Sequence, residues 1–131
     1  MTDVTASNGT VLHINDNSVT IVMGPYPDDP PNRSYVFGPA PAAIAIDEDA
    51  ATFVARLHPT VTLAALTRPN HTPIWIKGAA ITLVRHPVAG DTAPGETVGA
   101  VLSIGTHHQY QAIVETVANA RAIINAHSGR V

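Results

Sequence analysis

The sequence contains no cysteine, which excludes disulfides and thiol chemistry but leaves the compartment open. Charge is also scarce: charged residues make up 13% of the 131, against a usual share of about 25%. A small monomer needs a well-hydrated surface, so this scarcity points to a chain partly covered by neighbours in an assembly. Seven Lys and Arg stand against ten Asp and Glu, for a net charge of −3. The basic residues are scattered, with no stripe to neutralise phosphates, and no nucleic-acid partner is expected. The longest apolar runs, such as Ala79–Val84, are far too short to cross a bilayer, so no membrane partner is expected either. The first residues, MTDVTASNGT, show neither the basic nor the apolar region of a secretory leader, and none is expected.

What the chain does have is apolar content of 45%, enough for a core, and an internal echo. The stretch TVLHINDNSVTIVMGP, from Thr10 to Pro25, lies over TPIWIKGAAITLVRHP, from Thr72 to Pro87, without gaps. Thr5 pairs with Thr67, Asn8 with Asn70, Leu12 with Ile74, Ile14 with Ile76, Val19 with Ile81 and Pro25 with Pro87 at one spacing (67 − 5 and 87 − 25 both give 62). A longer loop follows the proline in the second copy. The match then resumes at a spacing of 67, pairing Phe37 with Ile104, Gly38 with Gly105, Ile46 with Ile113 and Leu57 with Ile124. An insertion in a surface loop costs little closure entropy, so a tandem duplication is the expectation.

Each copy reads as a small antiparallel sheet followed by one helix. Asn8–Gly9 signals a tight hairpin turn. Strands are expected at Val11–Ile14, Val19–Met23, Tyr35–Gly38 and Ala42–Ile46, and at Ile74–Ile76, Ile81–Arg85, Val101–Gly105 and Tyr110–Val114. In the first helix Asp47 is the expected N-cap, Ala50, Phe53, Val54 and Leu57 form the apolar stripe, and His58–Pro59 stops it. In the second, Val117, Ala120, Ile123 and Ile124 form the stripe and Ser128–Gly129 the stop. The expected fold class is α+β, mainly β, as two copies over residues 1–60 and 61–131. A unit of about 60 residues is marginal alone, so a shared core is expected.

The second copy carries Leu66, Thr67, Arg68, Asn70, Ile81, Gly105, Val114–Glu115 and Val117 in a pattern that resembles small FlbD-like proteins. These occur among flagellar accessory proteins and uncharacterised phage and alphaproteobacterial proteins. The resemblance implies a fold, and it carries over no catalytic residue. The chain departs from the family at His71, which replaces the turn glycine that Gly9 keeps in the first copy, and in the longer spacing between the third strand and the helix.

Chemistry-bearing motifs are few. His107 and His108, with His86, are the sharpest metal candidates. Adjacent histidines on extended chain face opposite ways, however, and no HExxH-type spacing is present, so no metal site or cofactor is expected. The acids Asp47–Asp49 fit capping and the helix dipole better than acid–base work. Ser34, Ser103 and Ser128 lack a Gly-x-Ser-x-Gly context, and no phosphate loop occurs. The expectation is a non-enzymatic structural or assembly protein: a phage virion component such as a capsid decoration (cement) or tail-associated protein, acting as a homo-oligomer with capsid or tail subunits as partners. Alternatives are a bacterial adaptor or flagellar accessory protein in the cytoplasm, and a small enzyme or ligand-binding protein with a cleft between the copies. The contacts are expected in the loops Gly24–Ser34 and Val88–Ala100, with Tyr26, Arg33 and Glu96 near their tips, and at Trp75 as an aromatic anchor.

Overall fold

The structure, a computed structural model, describes residues 1–57, 60–105 and 109–131. The chain is α+β and mainly β, with 34% of residues in strands and 20% in helices. It divides into two compact units, Met1–Leu63 and Ala64–Val131.

The first unit opens with β1 (Thr2–Thr5) and β2 (Val11–Ile14), paired antiparallel with Thr5 opposite Val11 and Thr2 opposite Ile14. Alternation sets the faces: Val4 and Ile14 are buried, while Asp3 and His13 face water and meet at 2.6 Å. A single 3-10 turn, Asp16–Ser18, leads to β3 (Ile21–Met23). This strand starts two residues later than the β-branched run suggests, because the Val19 N–H is committed to Asp16 O at 3.2 Å. Next come β4 (Ser34–Phe37), β5 (Ile44–Ile46) and α1 (Ala50–Leu57), with β4 antiparallel to both β3 and β5.

The sequence reading named the wrong cap for α1. Asp47 still belongs to the extended chain, since its N–H donates to Thr5 O at 3.0 Å. Asp49 is the residue whose carboxylate accepts from the Thr52 N–H, at 3.3 Å. The expected stripe holds at Ala50, Phe53 and Leu57, which are buried, and Val54 is half-buried.

The second unit runs through β6 (Leu63–Thr67), which neighbours β7 (Pro73–Lys77), then a 3-10 turn at Gly78–Ala80. Then follow β8 (Ile81–Arg85), β9 (Ala100–Ile104) and β10 (Gln109–Ile113), in the spatial order β10-β9-β8, all antiparallel. Helix α2 (Val117–Ala126) closes it, capped by Thr116, whose hydroxyl accepts from the Asn119 N–H at 3.3 Å. Ala120 and Ile124 are its buried face. Its stop is a left-handed Ser128 (φ 71) with the Gly129 N–H donating back to Ile124 O at 2.9 Å.

Element for element, the two units share one order. Single hydrogen bonds recur as well: Asp47 N–H to Thr5 O has its counterpart in Val114 N–H to Thr67 O, at 2.9 Å. In the first hairpin turn Asn8 Oδ1 accepts from the Thr10 N–H at 3.0 Å, and in the second Asn70 Oδ1 accepts from the Thr72 N–H at 3.1 Å. The third turn residue is left-handed in both, at Gly9 (φ 86) and at His71 (φ 65). Histidine bears strain there that glycine does not, on the order of 1 kcal/mol. His71→Gly should therefore raise stability in urea by roughly 0.5–1 kcal/mol, and a loss of stability would show that the imidazole contributes a contact outweighing the strain.

Candidate functional site

The loops after β3 and β8 stand at the same place in each unit, and each is built on the same turn. Pro25 and Pro87 end the strands by removing a ladder donor. Four residues on, Asp29 and Asp91 fold the chain back. The Asp29 N–H donates to Tyr26 O at 3.0 Å, and its Oδ2 accepts from the Tyr26 N–H at 3.0 Å. The Asp91 N–H donates to Val88 O at 3.0 Å, and its Oδ2 accepts from the Val88 N–H at 2.7 Å. The spacing of 62 thus reaches Asp91, and the extra length of the second loop falls after it. The shared signal, Pro-x-x-x-Asp, stands in the sequence but has neither helical nor strand periodicity.

A side chain from a neighbouring strand pins each carboxylate. The Tyr35 hydroxyl donates to Asp29 Oδ2 at 2.6 Å. In the second unit the Arg85 fork reaches both oxygens of Asp91, Nη1 to Oδ2 at 2.7 Å and Nη2 to Oδ1 at 3.3 Å. The Tyr35 hydrogen bond, then the Tyr26 amide, hold the Asp29 carboxyl below the usual range, and the Arg33 charge adds to this. Asp91 is held low in the same way, first by Arg85 and then by the Val88 amide. Tyr35 is pushed up, chiefly because its proton is committed to Asp29.

The turns hold an apolar residue out in water. Tyr26 is 47% exposed and Val88, its counterpart, is 63% exposed. Tyr26 leans on Tyr35 with ring centroids 5.1 Å apart and a 56° tilt, so its ring is partly supported. Above β8, the Arg85 guanidinium lies 5.3 Å from the centre of the exposed Tyr110 ring. Each turn thus presents one solvent-exposed side chain, Tyr26 or Val88, on a backbone tied back by its carboxylate.

The remaining named residues lie apart from these tips. Arg33 sits at the base of its loop, with Nε 3.3 Å from Asp47 Oδ1. Glu96 is exposed in the second loop and accepts from the Ala93 N–H at 3.2 Å. Trp75 is half-buried on β7 between the buried Ile74 and Ile76. Ser34 is buried and donates to Glu48 O at 2.5 Å. Glu48 also pairs with Arg56, which reaches Asp3 O at 2.5 Å. Its counterpart Glu115 accepts from the Thr67 N–H and hydroxyl, both at 3.0 Å. His107 and His108, like the His58–Pro59 stop, lie outside the described residues. Among the described residues no three His, Asp or Glu side chains are grouped to hold a metal ion, and no helix is long and apolar enough to cross a membrane.

The pinned turns should respond to acid. Folded-state values below the ordinary carboxylate range, near pH 4, mean that the Asp29 and Asp91 contributions are complete above that range. They are lost as pH falls through the depressed folded values. In an NMR titration from pH 6 to 2, the Tyr26 and Val88 amide shifts should move with midpoints below the ordinary carboxylate value. Midpoints at the ordinary value would show that the carboxylates are not pinned in solution.

No family model, curated protein or solved structure matches the chain.

Proposed function

We propose that the protein is a duplicated, non-enzymatic structural protein that works by binding other protein subunits in an assembly, in the first place a phage virion as a capsid decoration or tail-associated component. One observation carries this reading. The same carboxylate-pinned turn occurs at the same place in both units and exposes an apolar residue each time. A pinned loop spends little ordering entropy when it docks. Two such loops on one chain raise the effective concentration of the second contact once the first is made. A low share of charged residues fits a surface that is largely covered in use.

The test is whether the protein travels with assembled particles. On a density gradient of particles from its source it should co-sediment at a fixed copy number, and the Tyr26→Ala, Val88→Ala pair should drop that occupancy at least about tenfold. Protein that remains entirely at the top of the gradient would overturn the reading. A second reading is a bacterial adaptor or flagellar accessory protein. It is supported by the FlbD-like pattern of the second unit, in which His71 keeps the left-handed turn that the family gives to glycine. Co-sedimentation with flagellar basal structures would favour it.

A further inference from the structure

The two hairpin turns share one geometry but not one chemistry. In each, the asparagine Oδ1 accepts from the N–H two residues on, Asn8 from Thr10 and Asn70 from Thr72. The backbone N–H that follows each asparagine is bound as well, Gly9 to Ala6 O at 2.9 Å and His71 to Arg68 O at 2.8 Å. That nitrogen is the main-chain nucleophile next to the asparagine's side-chain carbonyl carbon, and what surrounds it differs between the units. Of the seven asparagines in the chain, Asn8 is the one followed by glycine. No side chain shields the Gly9 nitrogen, and a Cβ placed on Gly9 would meet no described atom within 4 Å. Residues 7–10 are all exposed, so water reaches the turn.

We infer that Asn8 is a site of spontaneous deamidation, with water as the co-reactant, and that Asn70 is spared. The Gly9 nitrogen bonds to Asn8 Cγ and gives up its proton. The Cγ–Nδ2 bond breaks, and Nδ2 leaves with that proton as ammonia. Water then opens the cyclic imide at either carbonyl, leaving aspartate or isoaspartate at position 8. At Asn70 the His71 side chain crowds the same approach, which glycine leaves clear. The fold gates the step. In the closed turn Asn8 Oδ1 is held on Thr10 and the Gly9 N–H on Ala6 O, so both bonds must break before Cγ can swing onto the nitrogen. The reaction therefore runs through a locally opened hairpin.

The two products do not behave alike. Aspartate keeps an oxygen where Asn8 Oδ1 meets the Thr10 N–H, so the turn can close again. Isoaspartate puts one extra carbon into the main chain between residues 8 and 9. The Ala6 N–H bond to Thr10 O at 2.8 Å and the Thr5–Val11 pairing then no longer fit one register. The misfit reaches β5, because Ala6 bridges Ile46 and the Ser7 N–H donates to Ala45 O at 2.9 Å. Asn8 is thus a one-way device that loosens the first unit with age. It does not depend on the assembly reading, and it is measured on the purified chain alone.

The test follows the wild type and His71→Gly at neutral pH, in native buffer and in urea, by peptide mass spectrometry that separates aspartate from isoaspartate. In urea Asn8 should convert on the order of tenfold faster than Asn70, and His71→Gly should raise Asn70 to the rate of Asn8. In native buffer Asn8 should be slowed by about 10- to 100-fold, since two hydrogen bonds must open, and should still outpace Asn70. The isoaspartate species, once separated, should show faster amide exchange at Ala6 and Ser7 than the aspartate species. An Asn8 that converts no faster than Asn70, or never converts in native buffer, overturns the inference. Equal Asn8 rates in urea and native buffer would overturn the gating by the turn, and equal exchange in the two products would overturn the loosening.

Discussion

Replacing Gly38 by alanine should cost at least about 2–4 kcal/mol, whereas the same change at its counterpart Gly105 should cost about 1–2 kcal/mol. Both glycines follow a strand, and both have positive φ, +115 and +46. Their surroundings differ. A Cβ on Gly38 would land on Ser18 O and stand 3.0 Å from both the amide nitrogen and the hydroxyl of Thr20. Those atoms cannot yield freely, because the Thr20 N–H and hydroxyl both donate to Phe37 O, at 2.9 and 3.2 Å. Relieving the clash means pulling the 3-10 turn off β4 just where β3 begins. At Gly105 the nearest atom to such a Cβ among the described residues is Ala80 O at 3.4 Å, an ordinary contact, so there the backbone preference is what is at stake. Against a total stability of roughly 5–15 kcal/mol, the first change is severe and the second is tolerable. Urea unfolding of the two variants, fitted with a common m-value, measures the difference. Equal losses would mean that the Ser18–Gly38 approach is looser in solution than in the structure.

That difference marks the limit of what the residues reveal on their own. The repeat spacing gave the right order of elements, because apolar periodicity and turn residues such as Asn8 and Asn70 act locally. The stripes Ala50–Phe53–Leu57 and Ala120–Ile124 were legible for the same reason. The capping residue was not, because three acids in a row are chemically interchangeable and only the reach of β5 decides which one meets the helix. Nor were the carboxylate-pinned turns, whose bonds run three residues back along irregular chain, with partners as unlike as Tyr35 and Arg85. The contrast between the buried β3 and the partly exposed β8 was hidden too. Both read alike as β-branched runs followed by a proline, and burial is decided by what lies against them.

Phe53→Ala should be the most damaging side-chain truncation in the first unit, at about 3–5 kcal/mol. Phe53 has no exposed surface, and it lies on the face of α1 that packs against β3. Leu57, Val22 and Val36 are equally buried, so no neighbour has surface to spare for filling the space. The counterpart of Phe53 in α2 is Ala120, also fully buried. At this place in the shared order of elements the two units therefore bury different residues, and alanine at position 53 would not recreate the packing of the second unit. It would leave a cavity the size of a phenyl ring. Ala120→Phe should fail for the opposite reason, overfilling a site closed around a methyl group and costing about 1–3 kcal/mol. The Phe53 loss should also reach the proposed contact surface, since β3 leads directly into the Asp29 turn. Amide exchange at Tyr26 should therefore quicken in Phe53→Ala by the same factor as global opening, whereas Val88 should follow it only if the units unfold together. A Phe53→Ala protein within about 1.5 kcal/mol of wild type would show that α1 and β3 collapse onto the vacancy.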